Sequence, residues 1–303
     1  MDRPLRIGTR GSPLALAQAR MVASALRSAH GWGEDRVEIV PITTTGDIVQ
    51  DRPLAEVGGK GLWTKELDRC LADGRTDMSV HSMKDVETFR PAELMIAAML
   101  PRADFRDRLI GADSISGLPR GARVGTSSPR RAAQLLSRRP DFEIVTFRGN
   151  VQTRLAKLNA GEADATLLAA AGLERLGLCE VGTVIHDLLP APAQGAVGVE
   201  VRSDAERVAE LVRAIDHRET HACVAAERRL LEGLRGTCRS PVAALARLDG
   251  DWIRLTAEIL TGDGRECRQS STVFAVQDQE APLALASELL GRASPELRAL
   301  FEA

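Results

Sequence analysis

The 303-residue sequence contains no tyrosine, and aromatic residues make up only 3% of it. Proteins that bind single-stranded nucleic acid stack bases on aromatic side chains, so this composition argues against that function. The net charge of -2 agrees, because nucleic-acid-binding proteins are typically basic. The sequence also lacks an apolar run long enough to span a membrane, and Met1 to Pro4 leads into a strand rather than a signal peptide. We therefore expect a cytoplasmic protein that binds neither nucleic acid nor membrane.

Cysteine is scarce and is not arranged for a disulfide framework or a zinc site. The five cysteines are an odd number without a C-x-x-C pair, so we expect no metal site and mostly reduced, structural thiols. Cys238 differs, because its loop places it between Arg235 and Arg239, and nearby positive charge favours the thiolate. The alternative is a loop cysteine without a role. The other four are Cys70, Cys179, Cys223 and Cys267.

An internal repeat indicates how the chain is organised. With 303 residues, of which 44% are hydrophobic and 27% charged, the chain is an ordinary globular protein too long for one small core. Three segments recur in the same order, although short α/β segments can resemble each other by chance. The pairs are 6–13 with 123–129, 38–40 with 143–145, and 74–80 with 161–167. They predict two related βαβ domains with a cleft between their strand ends.

We expect an α/β fold with three domains. The first comprises residues 1–100 and about 196–215, the second 101–195, and the third, a small α+β domain, 216–303. Residues 91–119 are expected to link the first two domains, and the apolar stretch after Gly195 to return to the first sheet. The expected strands are 5–9, 37–42, 78–80, 252–255 and 271–276, and the expected helices are 14–28, 63–71, 220–231 and 283–290.

The densest polar cluster follows the strand at 78–80. It contains His81, Ser82, Lys84 and Asp85, and ligands of open α/β sheets bind at such strand ends. A hydroxyl, an ammonium group and a carboxylate at this place therefore indicate a ligand site. The alternative is structural, with Asp85 capping a helix or turn, Lys84 solvated and His81 a half-buried imidazole.

Arginines recur at loop and early-helix positions of both repeats, and residues 126–128 add hydroxyl and amide donors at a helix N-terminus. Guanidinium groups bind acidic groups bidentately, so the set predicts a ligand with several carboxylates or phosphates. Neither G-x-x-x-x-G-K-[ST] nor G-x-G-x-x-G occurs, which favours carboxylates. Lys60, in a glycine-rich loop, is a further candidate for binding an anion. The alternative for Arg154 and for Arg175 is a solvated surface residue. The arginines are Arg10, Arg130, Arg131, Arg148, Arg154 and Arg175.

Over nearly its whole length the sequence resembles the porphobilinogen deaminase family, also called hydroxymethylbilane synthases. The motifs run in the family's order, and His-Ser-Met-Lys-Asp and Arg-Gly-Asn are close to diagnostic. They lie at residues 6–10, 57–61, 80–86, 125–131, 148–151, 171–177 and 194–198 and in the Gly-x-Cys loop at 236–238.

The resemblance implies two domains like those of periplasmic binding proteins, flanking a cleft, and a small C-terminal α+β domain. It implies a monomeric transferase of tetrapyrrole biosynthesis, which condenses four porphobilinogen molecules head to tail, with loss of ammonia, into linear hydroxymethylbilane. A covalent dipyrromethane primer is expected on Cys238 through a thioether, and Asp85 is expected to be the catalytic carboxylate.

The resemblance also assigns binding roles. The residues expected at the cofactor, besides Cys238, are Ser82, Lys84, Thr126, Ser128, Arg130, Arg131 and Gln194. Those expected at the substrate are Arg10, Ser12, Lys60, Arg148, Arg154 and Arg175.

Some positions depart from the family pattern without removing a group that the chemistry needs. Gly236-Thr237 stands where Gly-Gly is frequent, and Arg239-Ser240 where Gln-Val is. Glu87 stands where proline often follows Asp-Val, and Ala193 where glycine is usual. The rival interpretation is a solute-binding or ligand-sensing module without catalysis, which would not need Cys238.

Overall fold

The computed structural model of the protein describes residues 3–44, 64–237 and 240–302. The chain forms two compact units, one of Met1–Ala103 with Ala196–His221 and the other of Asp104–Gly195 with Ala222–Ala303. The three domain boundaries expected from the sequence, and the cleft between the first two domains, stay predictions.

The described strands are β1 Leu5–Arg10, β2 Val37–Ile42, β3 Met78–Ser82, β4 Leu94–Met99, β5 Asp107–Ile110, β6 Arg123–Gly125, β7 Glu143–Val145, β8 Ala165–Ala169, β9 Thr183–Ile185, β10 Val197–Arg202, β11 Val242–Asp249, β12 Trp252–Leu260 and β13 Cys267–Ala275. The described helices are α1 Pro13–His30, α2 Lys65–Ala72, α3 Pro129–Arg138, α4 Val151–Asn159, α5 Ala170–Arg175, α6 Glu206–Arg213, α7 Arg218–Leu234, α8 Ala281–Gly291 and α9 Pro295–Ala299.

The first unit is built on a five-stranded sheet of order β2-β1-β3-β10-β4. Strand β1 is parallel to β2 and β3, whereas β10 is antiparallel to both β3 and β4. Helix α1 begins where the Ser12 hydroxyl accepts a hydrogen bond from the Ala15 amide, and it ends at Gly31, whose φ of 64° suits glycine. Its apolar face, including Val22 and Leu26, packs in one core with the sheet.

The second unit repeats this arrangement in a sheet of order β7-β6-β8-β5-β9. The repeat extends to side chains. Asp77 accepts a hydrogen bond from the Arg6 amide at 2.8 Å, and Asp164 accepts the equivalent bond from the Arg123 amide at 2.7 Å. Each unit therefore contains one copy of the predicted repeat, so the two related βαβ arrangements are confirmed.

The second unit also contains the C-terminal antiparallel sheet, of order β11-β12-β13. Helices α7 and α8 contribute Leu230 and Leu289 to the core that this sheet forms. Together with the two repeated sheets, this small α+β part confirms the predicted α/β fold class.

Strand β10 returns to the first sheet, as the apolar stretch after Gly195 predicted. The sequence missed β4 and β5, which lie inside the expected linker at 91–119, and it also missed β11 and α6. Strand β3 extends two residues further than expected, to Ser82. Within the described residues, no helix has both the length and the apolar character needed to cross a membrane.

Candidate active site

The first unit has a pocket at the carboxyl ends of β1 and β3, beside the N-terminus of α1. Arg10, Ser12, Gln18, Ser82 and Asp85 are among its lining residues. The amide of Gln18 donates a hydrogen bond to the Ser82 hydroxyl at 2.8 Å. The first turn of α1 contains no acidic residue, so the positive end of the helix dipole and the Arg10 guanidinium favour an anion on this side of the pocket. The pocket can thus hold an acidic group beside one carboxylate.

The carboxylate of this pocket belongs to a short 3-10 turn, Met83–Asp85. Met83 is buried, and its amide donates a hydrogen bond of 3.1 Å to the Ala196 carbonyl. Asp85, at the end of the turn, is exposed, and the half-buried Lys84 precedes it. Met83 therefore anchors the turn in the core, and the Asp85 carboxylate is exposed to solvent and to any ligand.

His81 is buried beside Glu200 rather than forming part of the exposed cluster. Its Nε2 lies 3.1 Å from Glu200 Oε2, and Arg90 donates to both oxygens of the same carboxylate at 2.8 Å. Burial alone would raise the pKa of Glu200, but the hydrogen bonds from His81 and Arg90 lower it from 4.5 to about 2. Glu200 is therefore ionised at neutral pH, and a carboxylate oxygen can only accept, so His81 Nε2 carries the proton.

The equivalent position in the second unit is the N-terminus of α3. The Ser128 hydroxyl caps this helix by accepting from the Arg131 amide, and the Thr126 hydroxyl accepts from the Ser128 amide at 3.1 Å. The predicted cluster of hydroxyl groups at a helix N-terminus is present.

Arg130 and Arg131 do not extend into solvent from this helix. Both are buried, and they donate to the buried carboxylate of Asp107 at 2.7 Å each. Burial would raise the pKa of Asp107, but the two guanidinium groups hold it well below its usual range. Burial also lowers the pKa of Arg130. Asp107 is a carboxylate that the sequence did not identify, because it stands between Arg106 and Arg108 and nothing local distinguishes it from a solvated charge.

Gln194 joins the Asp107 cluster through its side-chain amide. It donates to Asp107 at 2.9 Å and to the Phe105 carbonyl at 2.7 Å, and its oxygen accepts from Arg130 at 3.3 Å. Gln134, one turn after Arg130, donates to the buried Glu258 of β12 at 3.2 Å. The cluster thus places two cations against two buried carboxylates.

The other arginines of this unit lie around the strand ends. Arg154 donates to the Gly149 carbonyl at 3.0 Å, and Arg175 donates to the Gly195 carbonyl at 2.6 Å. Burial lowers the pKa of Arg175. Arg148 follows β7 and is half-buried.

Among the residues that the structure describes in this unit, three guanidinium nitrogens are buried and find no hydrogen-bond partner there, namely Arg130 Nε, Arg148 Nη1 and Arg175 Nε. A buried donor without an acceptor costs about 1 to 3 kcal/mol, so such groups need an explanation. Carboxylates of a ligand would supply the acceptors. The residues present therefore fit a polyacidic cofactor.

Lys60 and Cys238 lie outside the described residues. Of the remaining cysteines, Cys70 and Cys223 are buried and Cys179 is exposed. Burial raises the pKa of the half-buried Cys267 thiol to about 11, so this thiol is protonated at neutral pH. Within residues 3–44, 64–237 and 240–302, no cluster of histidine, cysteine and carboxylate side chains could hold a metal ion.

Comparison with known families gives two matches that together cover most of the chain. Residues 5–210 match "Porphobilinogen deaminase, dipyromethane cofactor binding domain", and residues 221–291 match "Porphobilinogen deaminase, C-terminal domain".

Curated relatives agree over their full length. The chain is 57% identical to "Porphobilinogen deaminase" of Sphingopyxis alaskensis, across 99% of this chain and 97% of that protein. It is 52% identical to the protein of the same name from Paracoccus denitrificans, across 96% and 95%.

The matches among solved structures are more distant. The VFT2 domain of Bordetella pertussis BvgS is 16% identical, with a TM-score of 0.41 over 70% of this chain and 85% of that one. A periplasmic substrate-binding protein of an ABC transporter from Coxiella burnetii is 17% identical, with a TM-score of 0.41 over 74% and 96%.

Proposed function

The chain belongs to the porphobilinogen deaminase family, and from this membership we propose that it condenses four porphobilinogen molecules head to tail into linear hydroxymethylbilane, with loss of ammonia at each addition. The observation that carries the proposal at the level of residues is the pocket of the first unit. It contains one exposed carboxylate, Asp85, beside the Arg10 guanidinium and the N-terminus of α1.

Asp85 is proposed to be the catalytic carboxylate. Loss of ammonia from porphobilinogen leaves a cationic azafulvene, and a carboxylate next to the pyrrole N–H stabilises that charge. In its protonated form the same group can donate a proton to the departing amine, and the carboxylate that this leaves can later accept the proton that the pyrrole carbon loses once the new bond has formed, because general acid–base catalysis needs a group within hydrogen-bond reach of the reacting atoms. The exposed position of Asp85 on its anchored turn supports this role.

Arg10 and Ser12 are proposed to bind a carboxylate of the substrate. Porphobilinogen carries an acetate and a propionate, and a guanidinium fork with a helix N-terminus is suited to such a group. Charge-assisted hydrogen bonds are worth about 1.5 to 3 kcal/mol each, which is enough to orient the ring before reaction. Arg148, Arg154, Arg175 and Lys60 are proposed to bind the remaining carboxylates.

The cofactor of the family is dipyrromethane, which supplies the pyrrole that starts the chain when it is bound. Cys238 is proposed to hold it by a thioether, between the cationic side chains of Arg235 and Arg239 in the sequence. The unpartnered N–H groups of Arg130, Arg148 and Arg175 support the proposal that its carboxylates lie in the second unit. The other proposed contacts are Ser82, Lys84, Thr126, Ser128, Arg131 and Gln194.

Because Asp107 already pairs with Arg130 and Arg131, these two arginines differ from the others. Their remaining donors, rather than their whole charge, are available to the cofactor. Asp107 and Gln194 would hold the guanidinium planes in place before the cofactor arrives, so that little side-chain entropy is lost on binding. We further propose that the enzyme acts in the cytoplasm as a monomer.

The test is incubation of the purified protein with porphobilinogen, followed by measurement of ammonia and of hydroxymethylbilane. Release of four ammonia molecules for each hydroxymethylbilane is expected. A solute-binding module would bind porphobilinogen without releasing ammonia, and that outcome would reject the proposed function.

A further inference from the structure

Arg90 forms the most extensive ion-pair network of the first unit's described residues. Its side chain, which is 9% exposed, donates to Glu200 through Nε and Nη2, to Asp68 at 2.6 Å and to Glu87 at 2.9 Å. It thereby connects strand β10, helix α2 and the segment that follows the Asp85 turn. His81, the residue just before Ser82, contacts the same Glu200 carboxylate.

The energetics of such a network point to geometry rather than to stability. Removing a carboxylate and a guanidinium from water costs several kcal/mol each, and their attraction offsets this cost only when the geometry is good. Replacing a buried ion pair with apolar residues is often neutral for stability. We therefore expect this buried pair to fix the positions of the segments that it joins.

Strand β10 and the residue just before it supply three attachment points for the turn, at alternate positions along the chain. The Ala196 carbonyl accepts from the Met83 amide, and a side chain at Gly198 would overlap the sulfur of Met83. The carboxylate of Glu200 is the third point. Gly198 and Glu200 are two residues apart in β10, so their side-chain positions share one face of the strand, and Met83 contacts that face at Gly198.

The two sides of the turn are attached to Glu200 by different residues. His81 holds the chain four residues before Asp85, and Arg90 holds it five residues after. Glu87, where the family often has proline, is a second acceptor for Arg90 and lies two residues after Asp85. A proline at this position would restrict the backbone. Here the ion pair between Glu87 and Arg90 restrains it instead.

We propose that Arg90, anchored on Glu200, is a positioning residue that fixes the Met83–Asp85 turn so that the Asp85 carboxylate is held at its reacting position. The proposal rests on the proposed catalytic role of Asp85. Arg90 itself touches no reacting atom, and it acts only by restricting where the turn can lie.

The test compares Arg90→Met and Arg90→Lys with the wild-type holoenzyme. Arg90→Met keeps the length and apolar contacts of the side chain but removes every hydrogen bond. A displacement of about 1 Å can cost on the order of 100-fold in rate, so we expect kcat to fall at least about tenfold while KM changes less than about threefold. Arg90→Lys keeps the positive charge but loses the planar, bidentate guanidinium group. Its kcat should therefore lie between those of Arg90→Met and the wild type.

Arg139→Met is the matched control. Arg139 pairs with Asp141 through two nitrogens at 2.8 and 2.9 Å, donates to three backbone carbonyls, and stacks on Phe142. Arg139 and all of these partners belong to the second unit, whereas the turn belongs to the first. Arg139→Met should lower Tm without changing kcat or the amide hydrogen exchange of residues 83–86. Arg90→Met should accelerate that exchange.

A double-mutant cycle with Asp85→Glu separates positioning from a general structural effect. If Arg90 acts through the Asp85 carboxylate, Arg90→Met should reduce kcat by less in the Asp85→Glu background than in the wild type. Equal reductions in both backgrounds, or wild-type kcat and exchange in Arg90→Met, would overturn the proposal. A wild-type protein that makes no hydroxymethylbilane would instead reject the proposed function, and exchange at residues 83–86 would still decide whether Arg90 anchors the turn.

Discussion

The Asp85 side chain is exposed, yet Met83, two residues before it, and Val86, directly after it, are buried. Met83 and Val86 lie in the core, and Asp85 follows the first of them by two residues. A carboxylate in this setting is held in place by its neighbours' burial and still reaches solvent. Its chemistry can therefore be tested by substitutions that leave the core unchanged.

Asp85→Asn should keep the fold and nearly abolish turnover. The amide has the shape of the carboxylate but can neither balance a positive charge nor transfer a proton, so we expect kcat to fall by about 100-fold to 10,000-fold. Asp85→Glu should retain more activity, because it misplaces the carboxylate without removing it. Steady-state kinetics and circular dichroism of both variants provide the measurement. If the activity of Asp85→Asn stays within a few-fold of the wild type, Asp85 is not the catalytic residue.

Arginine variants of the second unit should separate into two groups. Arg148→Leu should weaken carboxylate binding with a change in stability within about 0.5 kcal/mol, because Arg148 has no buried carboxylate partner in the described structure. Arg131→Leu should also weaken binding, but it breaks a buried pair with Asp107 and should cost about 3 to 5 kcal/mol of stability.

Native mass spectra after addition of porphobilinogen, combined with urea unfolding, distinguish the two groups. Both variants should accumulate partly elongated chains, in proportions that differ from those of the wild type. Wild-type elongation in both would contradict the proposed carboxylate sites, and equal stability of the two would contradict the distinction drawn from Asp107.

At the scale of the element, strand β10 explains how one segment can serve both the sheet and the site. It pairs antiparallel with β3 and β4, and together with the Ala196 carbonyl just before it, it holds the Asp85 turn through the open space at Gly198 and the Glu200 carboxylate. Glu200 is the one of these three features that titrates, so its effect on stability depends on pH.

The Glu200 network should make stability depend on pH in the acid range. The pKa of Glu200 is lowered from 4.5 to about 2 in the folded protein, so its contribution is fully present above pH 4.5 and is lost as the pH falls towards 2. The contribution is on the order of 3 kcal/mol. The difference in free energy of unfolding between the wild type and Glu200→Gln should shrink between pH 5 and pH 3. Urea unfolding at several pH values measures it, and a constant difference would contradict the assignment of Glu200.

Local sequence signals predicted the elements whose pattern is complete in a short window. Strand β2 was predicted with its observed bounds, and α1 was predicted from Ser12 and Pro13 at its start. Strand β4 was missed because it is apolar throughout and has no alternation, and β5 because its two charged residues suggested a solvated linker.

The buried carboxylates could not have been found in the same way. Asp107 and Glu200 lie in strands, where a charged residue is normally expected to face solvent. Their partners lie 23 and 110 residues away along the chain, at Arg130 and Arg90. Only the three-dimensional pairing identifies them, whereas Asp85 was identified because its motif is contiguous.

At the scale of the whole molecule, the two repeated units have kept a scaffold and diverged in chemistry. Ser12 and Ser128 each cap the first helix of their unit, and a buried glutamine follows six residues later in both. The position equivalent to Asp85, eight residues after the shared aspartates at 77 and 164, is Gly172 in the second unit. The repeat therefore retains the serine-capped helix N-terminus twice and the exposed carboxylate once.

The proposed deaminase builds its product on a covalent dipyrromethane, and the intact mass of the purified protein shows whether that group is present. We predict that the wild type carries the extra mass of two linked pyrroles and that peptide mapping places it on Cys238. Cys238→Ala should fold without the adduct and without activity. Cys179→Ala should keep it, and this is the sharpest control because Cys179 is the exposed thiol among the four described cysteines. A wild-type protein without an adduct, or with an adduct on another cysteine, would contradict the account.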